Sequence, residues 1–139
     1  LSSRAMLPME RIDVMLPDNP VWVEADALLL EHAVRNVVLN GLHWASCNGT
    51  RARVRVSLVT AQGQAGIVVA DNGPGVNDEQ KDQIFGAFYS ATEEGMGMGL
   101  AICRSVMEAH HGRIEVDRDP QLGGASFTLW LPLSENHPP

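Results

Sequence analysis

Asn36 and Asn40 are followed by His43 and Trp44, a spacing that puts all four on one face of a helix. Amide oxygens are neutral, hard ligands, suited to a Mg2+ that keeps several waters and bridges phosphates. A histidine one turn further could donate to a phosphate, and an indole could lie against a base. Taken alone, the same residues also read as a solvated polar face with a surface tryptophan. Two asparagines inside a helix are unfavourable by propensity, which weakens that plainer reading.

Asp71-Asn72-Gly73-Pro74-Gly75 directly follows an apolar run at residues 65–70. A carboxylate at the end of a central strand can accept a hydrogen bond from an exocyclic amine, and the glycines let backbone approach a flat ring. An Asn-Gly/Pro-Gly turn is the plainer alternative. Gly95-Met96-Gly97-Met98-Gly99-Leu100 leads into a helical pattern. There, backbone N–H groups and a helix N-terminus could wrap phosphate oxygens, or the stretch is a flexible loop. It is not a dinucleotide fingerprint, because no apolar strand precedes it and the glycine spacing is wrong, and no Gly-Lys-Ser/Thr marks a Walker A loop. Gly123-Gly124-Ala125-Ser126-Phe127 could pass close to the same ligand or form a simple turn.

These residues need elements to hold them. Asp26 predicts the cap of a helix reaching residue 46, with Leu30, Val34, Val37, Val38, Gly41 and Ala45 as its buried stripe. Residues 12–16 and 21–23 alternate around Pro17 and Pro20, as a short hairpin or two edge strands. Residues 51–60 predict a half-exposed strand, 65–70 a buried one, and 114–116 and 126–131 two more. Helices are expected over 77–85, capped by Asn77, and over 98–110, stopping at Gly112. The order predicts an α/β (α+β) two-layer sandwich, a mixed and largely antiparallel sheet with about three helices on one face.

The 139 residues bound the answer to one domain or two small ones. Ten basic residues against seventeen acidic give a net charge of −7, which argues against a nucleic acid or an anionic membrane as partner. No apolar run approaches the roughly 20 residues of a membrane span. Cys47 and Cys103 lack metal-ligand spacing and read as free thiols of a reducing, cytoplasmic compartment, with a disulfide or redox switch as the alternative.

In this order and spacing, the chain resembles the catalytic, ATP-binding domain of bacterial sensor histidine kinases, within the wider Bergerat-fold group that includes gyrase, the Hsp90 chaperones and MutL. Residues 36–41 resemble the N box, 71–75 the G1 box, 85–88 the F box, 95–100 the G2 box and 123–127 the last glycine-rich box. The resemblance implies that Asp71 bonds the adenine amino group in a pocket shaped by Gly73 and Gly75, with Trp44 packed on the ring. It implies that Asn40, with Asn36, holds Mg2+ against the phosphates and that His43 lies near them. Phe85 and Phe88 would anchor a lid, Gly95, Gly97, Gly99 and Leu100 would close over the phosphates, and Ser126 would complete the cofactor-binding set.

Where many relatives carry Thr-Thr-Lys before the G2 glycines, this chain has Ser90-Ala91-Thr92-Glu93-Glu94, with no cation and two acids, so modest nucleotide affinity is expected. Hydrolytic relatives carry a Glu where Asn36 stands; an amide cannot act as general base, which favours phosphoryl transfer to an external acceptor. None of His32, His43, His110, His111 or His137 has the context of the family's acceptor histidine. The expectation is therefore a kinase domain (residues 12–134), a linker (1–11) from a separate dimerisation and phosphoacceptor domain, and a tail (135–139). It would bind ATP or ADP, pass phosphate through that domain to a response regulator, contact no membrane and be monomeric by itself. A non-catalytic nucleotide-binding module and an anti-sigma-type serine kinase are the alternatives.

Overall fold

Asp26 starts the longest helix in the manner its position predicts. In the computed structural model, which describes residues 10–46, 51–85 and 96–134, its Oδ1 accepts the N–H groups of Leu28 and Leu29, both at 3.1 Å. Its carbonyl accepts Leu30 N–H at 2.9 Å. These are donors that a helix start otherwise leaves unsatisfied. Helix α1 runs Ala27–Ser46 and buries Ala33, Val37, Asn40, Gly41 and Ala45. Leu30, Val34 and Val38 of the predicted stripe are half-buried against the core.

Five strands form one sheet: β1 (Glu10–Met15), β2 (Ala52–Ala61), β3 (Gln64–Asp71), β4 (Arg113–Arg118) and β5 (Ala125–Pro132), in the order β1-β2-β3-β5-β4. β1 and β2 are parallel and the other three pairings antiparallel, as expected of a mixed, mostly antiparallel sheet. A parallel pair needs a long crossover, and α1 supplies it. The β2–β3 turn has Gln62 and Gly63 at φ 53° and 75°, the twist a two-residue hairpin requires.

Residues 12–23 do not form a hairpin. β1 lies on the β2 edge, whereas Val23 makes an isolated antiparallel bridge to Leu133 beyond β5. Pro17 and Pro20 have no N–H to donate to a ladder, so the chain leaves the sheet between them.

Among the described residues, one face of the sheet is covered by two long helices, α1 and α3 (Met96–Ala109), where the sequence predicts about three. The expected middle helix, α2, is only Asp78–Gln83; Asn77 caps it, its carbonyl accepting Lys81 N–H at 3.0 Å. Its sequence, Asp-Glu-Gln-Lys-Asp-Gln, offers no apolar side chain to a core. Ile84 and Phe85, just past it, make the contact instead. The layer between helices and sheet is built from alternate residues of the strands, Val54, Val69, Phe127, Leu129 and Leu131, against Val37, Cys103 and Met107. Each side chain of this size contributes roughly 1.5–3 kcal/mol when removed from water.

Helix α3 ends differently from expectation. His111, not Gly112, takes the left-handed conformation, with φ 62°. His111 N–H donates to Glu108 O at 3.1 Å and Gly112 N–H to Met107 O at 2.8 Å, the paired bonds of a Schellman cap. Gly112 is required for another reason: a Cβ there would collide with the carbonyl of Trp130 on β5.

Candidate functional site

Asp71 ends β3 on the face that α1 covers, and only 1% of it is exposed. Its Oδ1 accepts the N–H groups of Gly73 at 2.9 Å and Ala125 at 3.2 Å. Gly124 N–H donates to the Asp71 carbonyl at 3.1 Å. A Cβ on Gly124 would strike Asp71 Oδ1, Asp71 O and Gly73 N, so only glycine lets the start of β5 come this close. Oδ2 is enclosed and has no hydrogen-bond partner among the described residues. Burial pushes the Asp71 carboxyl above the ordinary carboxylate value, the Gly73 and Ala125 amides pull it back, and Asp119 raises it again. A buried oxygen with spare acceptor capacity is matched by a ligand N–H donor, and an exocyclic amine is one.

Gly41 of α1 lies beside that oxygen. A Cβ on Gly41 would lie 3.7 Å from Asp71 Oδ2 and 3.4 Å from Val54 Cγ2. Gly73 sits against the end of the helix, where a Cβ would come within 2.8 Å of the Trp44 carbonyl. Gly75 is left-handed at φ 83°, as the turn after the strand demands. Asn72 turns toward the start of β2. It extends the strand pairing, with Nδ2 donating to Arg51 O at 2.9 Å and Oδ1 accepting Arg53 N–H at 3.0 Å.

Further along α1, Asn40 is 2% exposed and its Nδ2 has no partner among the described residues. It is no part of a solvated face. Turned by 180°, the amide presents oxygen at the same place. Asn36, one turn earlier and half-buried, hydrogen-bonds the Cys103 thiol, which burial pushes up to about 11. At that value the thiol is protonated and unreactive. No cluster of three or more His, Cys, Asp or Glu among the described residues could hold a metal. The amides of Asn36 and Asn40 are the donors that fit a hydrated Mg2+. His43 and Trp44 are half-buried and stack edge-on, with ring centroids 6.1 Å apart.

Helix α3 packs along α1, with Cys103 against Ala33 and Asn36. The helix begins at Met96, two residues before the expected start, so Gly97 and Gly99 belong to its first turn rather than to a loop. First-turn N–H groups have no acceptor within their own helix and carry the positive end of its dipole. Leu100 is 2% exposed and packs in the core, and Phe85 stands edge-on to Phe127 at 6.2 Å. Ser126 points to the helix-free face, since its neighbours Ala125 and Phe127 face the helices; the backbone amide of Ala125 is what reaches Asp71. Phe88, Gly95 and Cys47 lie outside the described residues.

Sequence reasoning missed Asp119. It is buried at 6% exposure and organises the loop that delivers Gly124 and Ala125. Its Oδ1 pairs with Arg55 at 2.9 Å, and its Oδ2 accepts Leu122 N–H at 2.7 Å. An Asp-Pro followed by Gly-Gly signals only a turn, and the arginine that completes the bracing lies two strands away.

A buried acceptor at a strand end, a buried amide on the facing helix and a glycine-bearing helix start define a nucleotide-binding sandwich, and the chain belongs to the histidine kinase-, DNA gyrase B- and HSP90-like ATPase family, whose profile matches residues 25–135. The chain is 39% identical over 120 residues to the C4-dicarboxylate transport sensor protein DctS of Rhodobacter capsulatus, a match covering 84% of this chain and 18% of that protein. The mycobacterial sensor histidine kinase MprB shares the fold with a TM-score of 0.77 at 30% identity, over 89% of this chain and 84% of that one. Full-length ShkA in complex with AMPPNP superimposes with a TM-score of 0.76 at 25% identity, covering 93% of this chain and 27% of that one. The fold is thus the Bergerat sandwich of sensor histidine kinase catalytic domains, as the sequence resemblance implied.

Proposed function

We propose that this domain binds ATP with Mg2+ and passes the γ-phosphate to a histidine of a separate dimerisation domain, from which a response regulator takes it. The observation that carries the reading is the enclosed, unpartnered Oδ2 of Asp71, an acceptor suited to the adenine amine. Trp44 would pack on the ring and Gly75 would shape its pocket. Asn40, with Asn36, would hold Mg2+ at the phosphates, where the metal neutralises charge. The N–H groups of Gly97 and Gly99, with Gly95, would bond phosphate oxygens, and His43 would donate to one. Asn36 cannot take a proton from water, so what these residues supply is orientation toward an external nucleophile rather than hydrolysis.

In this reading residues 12–134 form the kinase unit, 1–11 lead in from the acceptor domain and 135–139 trail from it. In the same reading the domain works as a monomer in the cytoplasm. The test has two stages. Calorimetric titration with ADP and a non-hydrolysable ATP analogue, with and without Mg2+, should show binding that Asn40→Ala weakens mainly when Mg2+ is present. Labelled ATP, with the acceptor domain supplied in trans, should then leave acid-labile phosphate on that domain and none on this chain. Acid-stable label, or nucleotide binding without transfer, would overturn the proposal.

A further inference from the structure

Polar links at two levels set how α1 and α3 lie against each other, the Asn36 bond to Cys103 belonging to the first. In the middle of the pair the Cys103 thiol donates to the Ala33 carbonyl at 3.2 Å. Seven residues further along each helix, in opposite directions, His110 reaches Asp26. Its Nε2 lies 3.0 Å from Asp26 N, and its Nδ1 lies 2.7 Å from Val106 O. A carbonyl can only accept, so Nδ1 carries the proton; an amide N–H can only donate, so Nε2 does not. A single neutral tautomer therefore joins the C-terminus of α3 to the N-cap of α1. The helices run antiparallel, and the same register carried the other way brings Asn36 and Asn40 alongside the first turn of α3.

We propose that His110 is a positioning residue for the nucleotide site: by tying the N-cap of α1 to the end of α3, it holds the two asparagine amides in register with Gly97 and Gly99. The inference rests on the nucleotide-binding reading above. A bond at one end of two packed helices acts on the other end because each helix moves as a rigid element.

The test is calorimetric titration of the 139-residue chain with ADP and Mg2+, at a temperature where every variant is folded by circular dichroism. His110→Ala and His110→Asn, which lose the acceptor facing Asp26, should bind about fivefold more weakly, and His110→Gln, whose Oε1 can accept that N–H, should return to within about twofold of the parent. A helix clip with no bearing on the site would lower the unfolding temperature and leave these affinities alone. Equal affinity for His110→Ala and the parent, or equal loss in the Gln and Asn variants, overturns the inference. Should His110→Ala not fold, the Gln and Asn pair decides it. Asp71→Asn, titrated in parallel, separates the two claims. If it binds like the parent, the nucleotide reading itself fails; if it loses binding while His110→Ala keeps it, only the positioning role fails.

Discussion

Asp71 and Asp119 are both buried carboxylates at one corner of the sheet, and they spend their oxygens differently. Asp119 has both engaged, one with the Arg55 guanidinium and one with Leu122 N–H, while its backbone closes on Gly123 and Gly124 at 2.8 Å each. Asp71 has one oxygen bonded twice and the other, among the described residues, not at all. An unpartnered buried acceptor is a standing cost to the fold of about 1–3 kcal/mol, tolerable only where a ligand makes good the missing bond. A saturated carboxylate braces the loop; the unsaturated one beside it is the site. The two are coupled, because the loop that Asp119 organises supplies the amides that orient Asp71.

The sharpest way to break this contrast is Asp71→Asn. It keeps an acceptor for Gly73 and Ala125 but turns an NH2 toward the ligand amine, so ADP affinity should fall about a hundredfold, the loss of a charged hydrogen bond with a donor left facing a donor. Stability should scarcely change near neutral pH. Because burial raises the Asp71 carboxyl above its ordinary 3.8, the folded chain favours its neutral form. The stability this group contributes is complete below the unfolded value and is lost as pH rises through the folded one. Thermal unfolding across that window should show the decline in the parent and not in Asp71→Asn.

Asp119→Ala should behave in the opposite way, lowering stability by about 2–3 kcal/mol in urea titrations because it leaves a largely buried guanidinium with Gln121 but no counter-charge, and the Leu122 amide without its acceptor. Nucleotide affinity of the folded fraction should fall less than in Asp71→Asn. A stability loss below about 0.5 kcal/mol, within the range of ordinary surface changes, would erase the distinction between brace and site. Gly123→Ala probes the brace more gently. The residue sits at φ 86° with open space around its missing Cβ, so the penalty is backbone strain alone, about 1 kcal/mol by the same measurement. Smallest is Gly41→Ala, where the added methyl meets only ordinary contacts beside Asp71 Oδ2. It should stabilise α1 by roughly 0.5–1 kcal/mol and narrow the space for the ligand amine.

Much of the fold was legible because its signals are local. Asp26 precedes the residues whose amides it caps, and the alternation of residues 52–61 and the unbroken apolar run before Asp71 mark strands without reference to any partner. The candidate site was legible as an ordered set of glycine, asparagine and aspartate segments, though not in its detail. Ser126 lies on the helix-free face while the Ala125 amide reaches Asp71, because which side a strand residue faces depends on the register of its neighbour. His111 took the left-handed position expected of Gly112, because the glycine was needed where the chain passes Trp130.

By itself, the amino-acid sequence determined the helices, the strands and the chemical character of the residues at their ends, because these follow from periodicity, capping and side-chain chemistry within a few positions along the chain. Only the tertiary structure decided that β1 joins β2 while Val23 crosses to Leu133, that His110 reaches Asp26, and that Asp71 has one oxygen without a partner among the described residues. Those outcomes involve residues tens of positions apart. They are set by how the two helices and the sheet pack as a whole, and no local preference encodes that.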